Sequence, residues 1–221
     1  MENQRFRIRI RFKKEGDLRF ISHRDLVRVF ERAFRRAGFE LGMSEGFHPK
    51  VRMSFPLALS LGIEGANEIM EVEFRRQLTA EETGSRLRPL LPPGLVVEDI
   101  EIRAPGASKA RIERILYEIP VPRSHWPQVN ERISQLLSHS TWKVPSNGRD
   151  RTIDVMPQLV VLELIDGKLR IEQRITPGAS FNPRDLLREL QLNDLESSGA
   201  IIKRTKVELE RKPDREAARA L

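Results

Sequence analysis

Apolar and charged residues alternate strictly in RFRIRIRF (residues 5–12). Phe6, Ile8, Ile10 and Phe12 share one face; Arg5, Arg7, Arg9 and Arg11 share the other. A period of two predicts a half-buried strand. The period then lengthens. In ISHRDLVRVFERAFRRAG (21–38), Leu26, Val29, Phe30, Ala33, Phe34 and Ala37 recur at helical spacing. Ser22 suits the N-cap, Asp25 three residues on imitates a capping box, and Gly38 is a natural stop. FELGM (39–43), SEGFHPK (44–50) and VRMSFPLALSLGI (51–63) follow, and EIMEVEF (68–74) alternates again. A shorter helix starts at Thr79, and LVVEDIEIR (95–103) closes the run as a strand.

The stretch APGASK (104–109) reads as a boundary, and the pattern then recurs. RILYEIPV (114–121) is a strand, residues 124–139 a helix, and TWKV and RTIDVMP short extended pieces. Residues 158–175 form a hairpin turning at Asp166-Gly167. Asn182 and Pro183 open another helix, residues 200–210 give a last strand, and 211–221 is a charged tail. The expectation is an α+β chain of two tandem ferredoxin-like βαββαβ units, 1–104 and 105–210, with antiparallel sheets and helices on one face.

Charge changes the picture. The net charge of +7 lies within residues 1–53, which hold 14 Lys/Arg against 7 Asp/Glu. A basic front end suggests a polyanion, most simply RNA. The arginine face of the first strand is a poor RNA platform because it lacks stacking aromatics. Ferredoxin-like order would instead set it between Glu71 and Glu73 on one side and Asp99 and Glu101 on the other, as a salt-bridged sheet. A contact face between the two units is the remaining reading. Arg24, Arg28, Arg32, Arg35 and Arg36 lie largely off the helix's apolar stripe and are the better phosphate contacts.

There are no cysteines, which excludes disulfides, thiolate metal sites and a thiol nucleophile. The four histidines show no paired metal-ligand spacing, so no metal is expected. The N-terminus does not read as a signal peptide, and no apolar run is long enough for a membrane span. A cytoplasmic location is expected. If FELGM is the second strand, Ser44, His48 and Lys50 emerge beside His23 and Arg24 at the positive end of the first helix, an anion-binding arrangement. If VRMSF is that strand, the two stretches part. Asp154 is a candidate polar anchor in the second unit.

LRFISHRDLVRVFERAFRRAGFELGMSEGFHPKVRMSFPLALSLGIEG followed by NEIMEVEF resembles the domain of unknown function found fused to or beside B12-binding-type radical SAM proteins. That family's pattern has S-H-x-D, S-x-G-F-x-P and S-F-x-x-P-L-x-x-G motifs. The resemblance carries Ser22, His23, Asp25, Ser44, Gly46, Phe47, Pro49 and Ser54 over as site residues. It departs at Arg24, commonly apolar, and at Met156, where an arginine is the pattern. It implies association with a radical SAM protein, which would supply S-adenosylmethionine and an iron–sulfur cluster. The expected function is an accessory or substrate-recognition module that binds RNA or another anionic substrate. The alternative is a metal-independent endoribonuclease with a histidine general base.

Overall fold

The computed structural model describes residues 5–145, 152–176 and 181–210. Its first half contains β1 (Phe6–Lys14), α1 (His23–Arg36), β2 (Met53–Ser54), β3 (Glu64–Phe74), α2 (Ala80–Leu87) and β4 (Leu95–Arg103). Its second half contains β5 (Ile112–Pro120), α3 (Trp126–Leu137), β6 (Lys143–Pro145), β7 (Thr152–Asp154), β8 (Leu159–Ile165), β9 (Lys168–Arg174), α4 (Pro183–Glu189) and β10 (Lys203–Leu209). The fold is mixed α+β. One eight-stranded sheet runs β4-β1-β3-β10-β5-β9-β8, with β2 on the edge of β3, and β6-β7 stand apart. All its pairings are antiparallel except β3 with β10, where Glu64 and Gly65 meet Lys203 and Arg204 in parallel.

The expectation of separate sheets is therefore corrected: β10 joins the two halves into one. The reason is visible along β3. The two-residue β2 pairs only with Val72 and Glu71, which leaves the first part of the β3 edge free for β10.

Sequence chemistry explains the local elements. Ser22 caps α1 by accepting from the Asp25 N–H at 3.2 Å, and Leu26, Phe30, Ala33 and Phe34 are buried beneath it. Thr79 caps α2 from the Glu82 N–H, and Asn182 with Asp185 forms a full capping box at α4. Asp166 and Gly167 both have positive φ, 51° and 74°, as a tight hairpin between β8 and β9 requires. One apolar core joins β1, β3 and β4 to α1 and α2; a second joins β5, β9 and β10 to α3 and α4 and also takes in Ile63 and Ile69. Among the described residues, no helix is long and apolar enough to cross a membrane.

Candidate functional site

The two arginine arrays have different fates. On β1, Arg7 pairs with Glu73 at 2.9 Å, and Arg9 binds Glu71 at 2.9 Å and Glu101 at 3.2 Å. Arg11 lies opposite Asp99 in register, but its guanidinium donates to Asn67 and to the Val207 carbonyl instead. The 104–111 connection then closes over this face. Arg7 donates to the Ala107 carbonyl at 2.8 Å, and the Ala110 N–H donates to Glu71 at 3.1 Å. Arg9 and Glu71 end up buried. This face is a neutralised, covered sheet surface.

On α1, Arg24, Arg28, Arg32, Arg35 and Arg36 are all exposed. Arg28 pairs with Asp25 at 3.2 Å and Arg35 with Glu31 at 2.8 Å. Arg24, Arg32 and Arg36 meet no acid among the described residues. Here the positive charge is presented to solvent.

The motif residues divide into two groups. At the start of α1, the Ser22 hydroxyl donates to the Asp25 carboxylate at 2.7 Å while accepting its N–H. That hydrogen bond, with Arg28 nearby, holds the Asp25 carboxyl below the usual carboxylate range. His23 is exposed, and its ring stands edge-on to Phe55 at 5.2 Å. Phe55 in turn packs on Phe12 and Phe30. Removing the hydroxyl in Ser22→Ala is expected to return the Asp25 pKa toward the ordinary carboxylate value and to cost about 1 kcal/mol of cap stability. Asp25's own contribution is present above that unfolded-state value and is lost as pH falls through the depressed folded one. NMR titration of the carboxyl carbon checks the shift, and an unmoved pKa would show that the hydroxyl is not its cause.

The second group sits elsewhere. FELGM joins β3 at one bridge, Leu41 to Phe74, and the regular pairing with β3 belongs to Met53 and Ser54. Between them, residues 44–50 leave the sheet edge as an excursion, pinned at its base by Met43 and Val51. The Ser44 N–H donates to the Lys50 carbonyl at 2.7 Å, and the Ser44 hydroxyl accepts the Lys50 N–H at 2.9 Å. Gly46 has φ 115°, a conformation that favours glycine. Glu45 pairs with Arg5 at 3.3 Å, so the loop lies at the Arg5 end of β1, whereas His23 lies at the Phe12 end. The strand between those residues spans about 23 Å at ~3.3 Å per residue. The arrangement that would unite His48 and Lys50 with Ser22, His23 and Arg24 is not adopted. Phe47, in the same loop, is wholly exposed. Ser54 lies in β2 opposite Glu71. In the second half, Asp154 accepts the N–H groups of Trp142 and Met156 at 3.0 and 3.2 Å, which makes it a backbone clamp.

Sequence reasoning missed a buried ionic cluster where the halves join. Lys14, Gly65 and Arg204 lie side by side on β1, β3 and β10. The Glu68 side chain folds back over Gly65, where an added Cβ would sit 2.6 Å from a carboxylate oxygen. Glu68 thereby grips Arg204 through both its oxygens, one of them at 2.8 Å from Nε. Arg204 also donates to the Leu57 and Ala58 carbonyls at 3.3 Å, and Tyr117 lies beside it. Burial works against the Arg204 charge, but the Glu68 carboxylate outweighs it and raises the pKa above the ordinary value. Burial pushes the Tyr117 phenol up and the Lys14 ammonium down. A cavity of about 250 Å³ adjoins, lined in part by Tyr117, Arg204 and Gln173. With its guanidinium bound to Glu68 and to two backbone carbonyls, Arg204 acts as a lock between the halves. Among the described residues, no three His, Asp or Glu side chains are grouped to hold a metal ion.

No curated protein matches the chain. Among solved structures it is similar to an unknown protein from Galdieria sulphuraria, at 12% identity over 94% of this chain and 100% of that one, with a TM-score of 0.31. It is also similar to a provisionally assigned glycine cleavage system transcriptional repressor, at 9% identity over 94% and 99% of the two chains, with a TM-score of 0.27. The family match is more direct. It runs over residues 7–191, from β1 past the end of α4 and through the α1 and loop motifs, and so the chain belongs to DUF2344, the family described as uncharacterized proteins conserved in bacteria.

Proposed function

We propose that this chain is an accessory, substrate-recognition module of a cytoplasmic radical SAM enzyme, and that it binds RNA through the outer face of α1. The observation that carries the reading is the contrast between the two arginine arrays. Those of β1 are bound and largely covered, whereas Arg24, Arg32 and Arg36 are exposed without acids among the described residues. Arg35 and Arg36 add their charge at the C-terminal end of the helix, where the helix dipole favours cations. The radical SAM partner follows from the motif resemblance. A chain without cysteine has no thiolates for a cluster, so the partner would carry both it and S-adenosylmethionine. We read the architecture as two ferredoxin-like units in tandem, because each half orders its strands fourth-first-third-second. The endoribonuclease alternative draws no support from His23, which packs on Phe55 while its neighbour Asp25 is engaged by Ser22 and Arg28.

The test is equilibrium binding of a structured RNA across a salt series. Wild type is expected to bind at low salt and to weaken steeply as salt rises, since each neutralised phosphate adds about 0.7–0.9 to the logarithmic slope. Reversal of Arg24, Arg32 and Arg36 to Glu should lower affinity at least about tenfold, while Lys143→Glu, on an exposed residue of β6, should not. Absence of wild-type binding at low salt would remove the RNA reading. Affinity capture from the native host, scored for both protein and RNA, tests the radical SAM partner separately.

A further inference from the structure

Along one side of α1 runs a groove of about 410 Å³, closed on the far side by the chain just after α2. Val29, Leu90, Leu91 and Pro92 form an apolar floor, and Arg32 and Arg36 stand at its edge. Both arginines are exposed, and neither meets an acid among the described residues. They are four residues apart, about 6 Å along the helix axis, close to the spacing of successive phosphates in a nucleic-acid strand. Arg24 and Arg28 continue the four-residue repeat toward the start of the helix, so the row extends over about 18 Å.

We propose that this groove receives one unstacked base of a single-stranded RNA, with the flanking phosphates on Arg32 and Arg36. The inference rests on the RNA reading of α1 and goes further, to the strandedness of the substrate and the seat of a base. A row of evenly spaced cations fits a polymer of evenly spaced anions better than the scattered acids of a protein partner. An apolar floor accepts the face of any base, as apolar walls do in pockets that hold extruded bases. A duplex keeps its bases paired and stacked and cannot fill the groove.

The experiment uses the full chain, a fluorescent oligouridylate and a duplex RNA of equal length, read by anisotropy at low salt. Wild type should prefer the single strand. Leu90→Ala should lower single-strand affinity severalfold, the effect of withdrawing part of the apolar surface beneath the base, while leaving duplex affinity and the salt slope unchanged. Because Leu90 is half-buried, its melting temperature is recorded alongside, and a second measurement needs no variant. Photocrosslinking with 4-thiouridine in the oligonucleotide should label peptides carrying residues 29–36 or 88–92. Equal binding of both RNAs overturns the groove and leaves the α1 reading standing, whereas labelling confined to peptides outside α1 and 88–92 overturns both. Failure of wild type to bind either RNA overturns both, and a protein segment becomes the occupant to seek.

Discussion

Glu68→Ala is expected to cost about 3–5 kcal/mol of stability, the effect of breaking a buried ion pair by removing one partner. The loss is large because of what remains. Lys14 and Arg204 are both about 1% exposed, and Glu68 is the acid placed between them. Without it, Arg204 keeps two carbonyl contacts but no counter-charge, and the nearby ammonium of Lys14 repels it. Urea unfolding measures the effect, with Glu31→Ala as the comparison. Glu31 holds Arg35 on the surface of α1, and exposed i,i+4 pairs contribute only about 0.3–0.5 kcal/mol. A Glu68→Ala loss no larger than that of Glu31→Ala would mean that water reaches the cluster and that the joint between the halves is held by apolar packing alone.

Phenylalanine supplies the second large effect, through a contrast between two positions. Phe30→Ala is expected to cost about 3–5 kcal/mol. Its ring is fully buried and lies 5.0 Å from Phe12, 6.1 Å from Phe34 and 6.0 Å from Phe55. Truncation there opens a hole at the centre of the first core, where helix and sheet meet. Phe47→Ala is expected to change stability by no more than about 0.5 kcal/mol, because Phe47 leaves nothing unfilled. Thermal melts of the two variants decide the matter. A Phe47→Ala variant as unstable as Phe30→Ala would show that the loop tip packs down in solution.

Much of this was legible in the sequence. The period of two in β1, the helical stripe of α1, the caps at Ser22, Thr79 and Asn182, and the Asp166-Gly167 turn each express a local rule, and local rules survive tertiary folding. The acidic partners Glu71, Glu73 and Glu101 also followed, once strand order was assumed. The path of residues 39–55 did not. Both FELGM and VRMSF carry apolar residues at alternate positions, and both hydrogen-bond to β3, the Gly42 N–H to the Glu73 carbonyl and the Glu73 N–H to the Arg52 carbonyl, a sharing of one edge that lies beyond any local pattern. The buried cluster left a fainter mark. Lys14 continues the inward phase of Ile8, Ile10 and Phe12, so a charge at that position already signalled a buried partner. That the partner was Glu68, reached because Gly65 leaves room, required three strands side by side. The α1 arginines were visible as charge, but their freedom from acids was not, because pairing is settled by neighbours distant in sequence.

The parallel meeting of β3 with β10 also bears on how the chain is made. A ribosome releases β1, α1, β3 and β4 early, and these can assemble while the rest is still being synthesised. Their sheet then presents the Glu64–Gly65 end of β3 with unpaired backbone groups, because β2 covers only Val72 and Glu71. The strand that closes this edge is the last in chain order among the described residues. Until it emerges, the nascent protein carries an open strand edge of the kind that pairs with foreign strands. The same delay leaves Glu68 without Arg204, so the charge that later locks the halves first helps keep that waiting edge hydrated and apart from its neighbours.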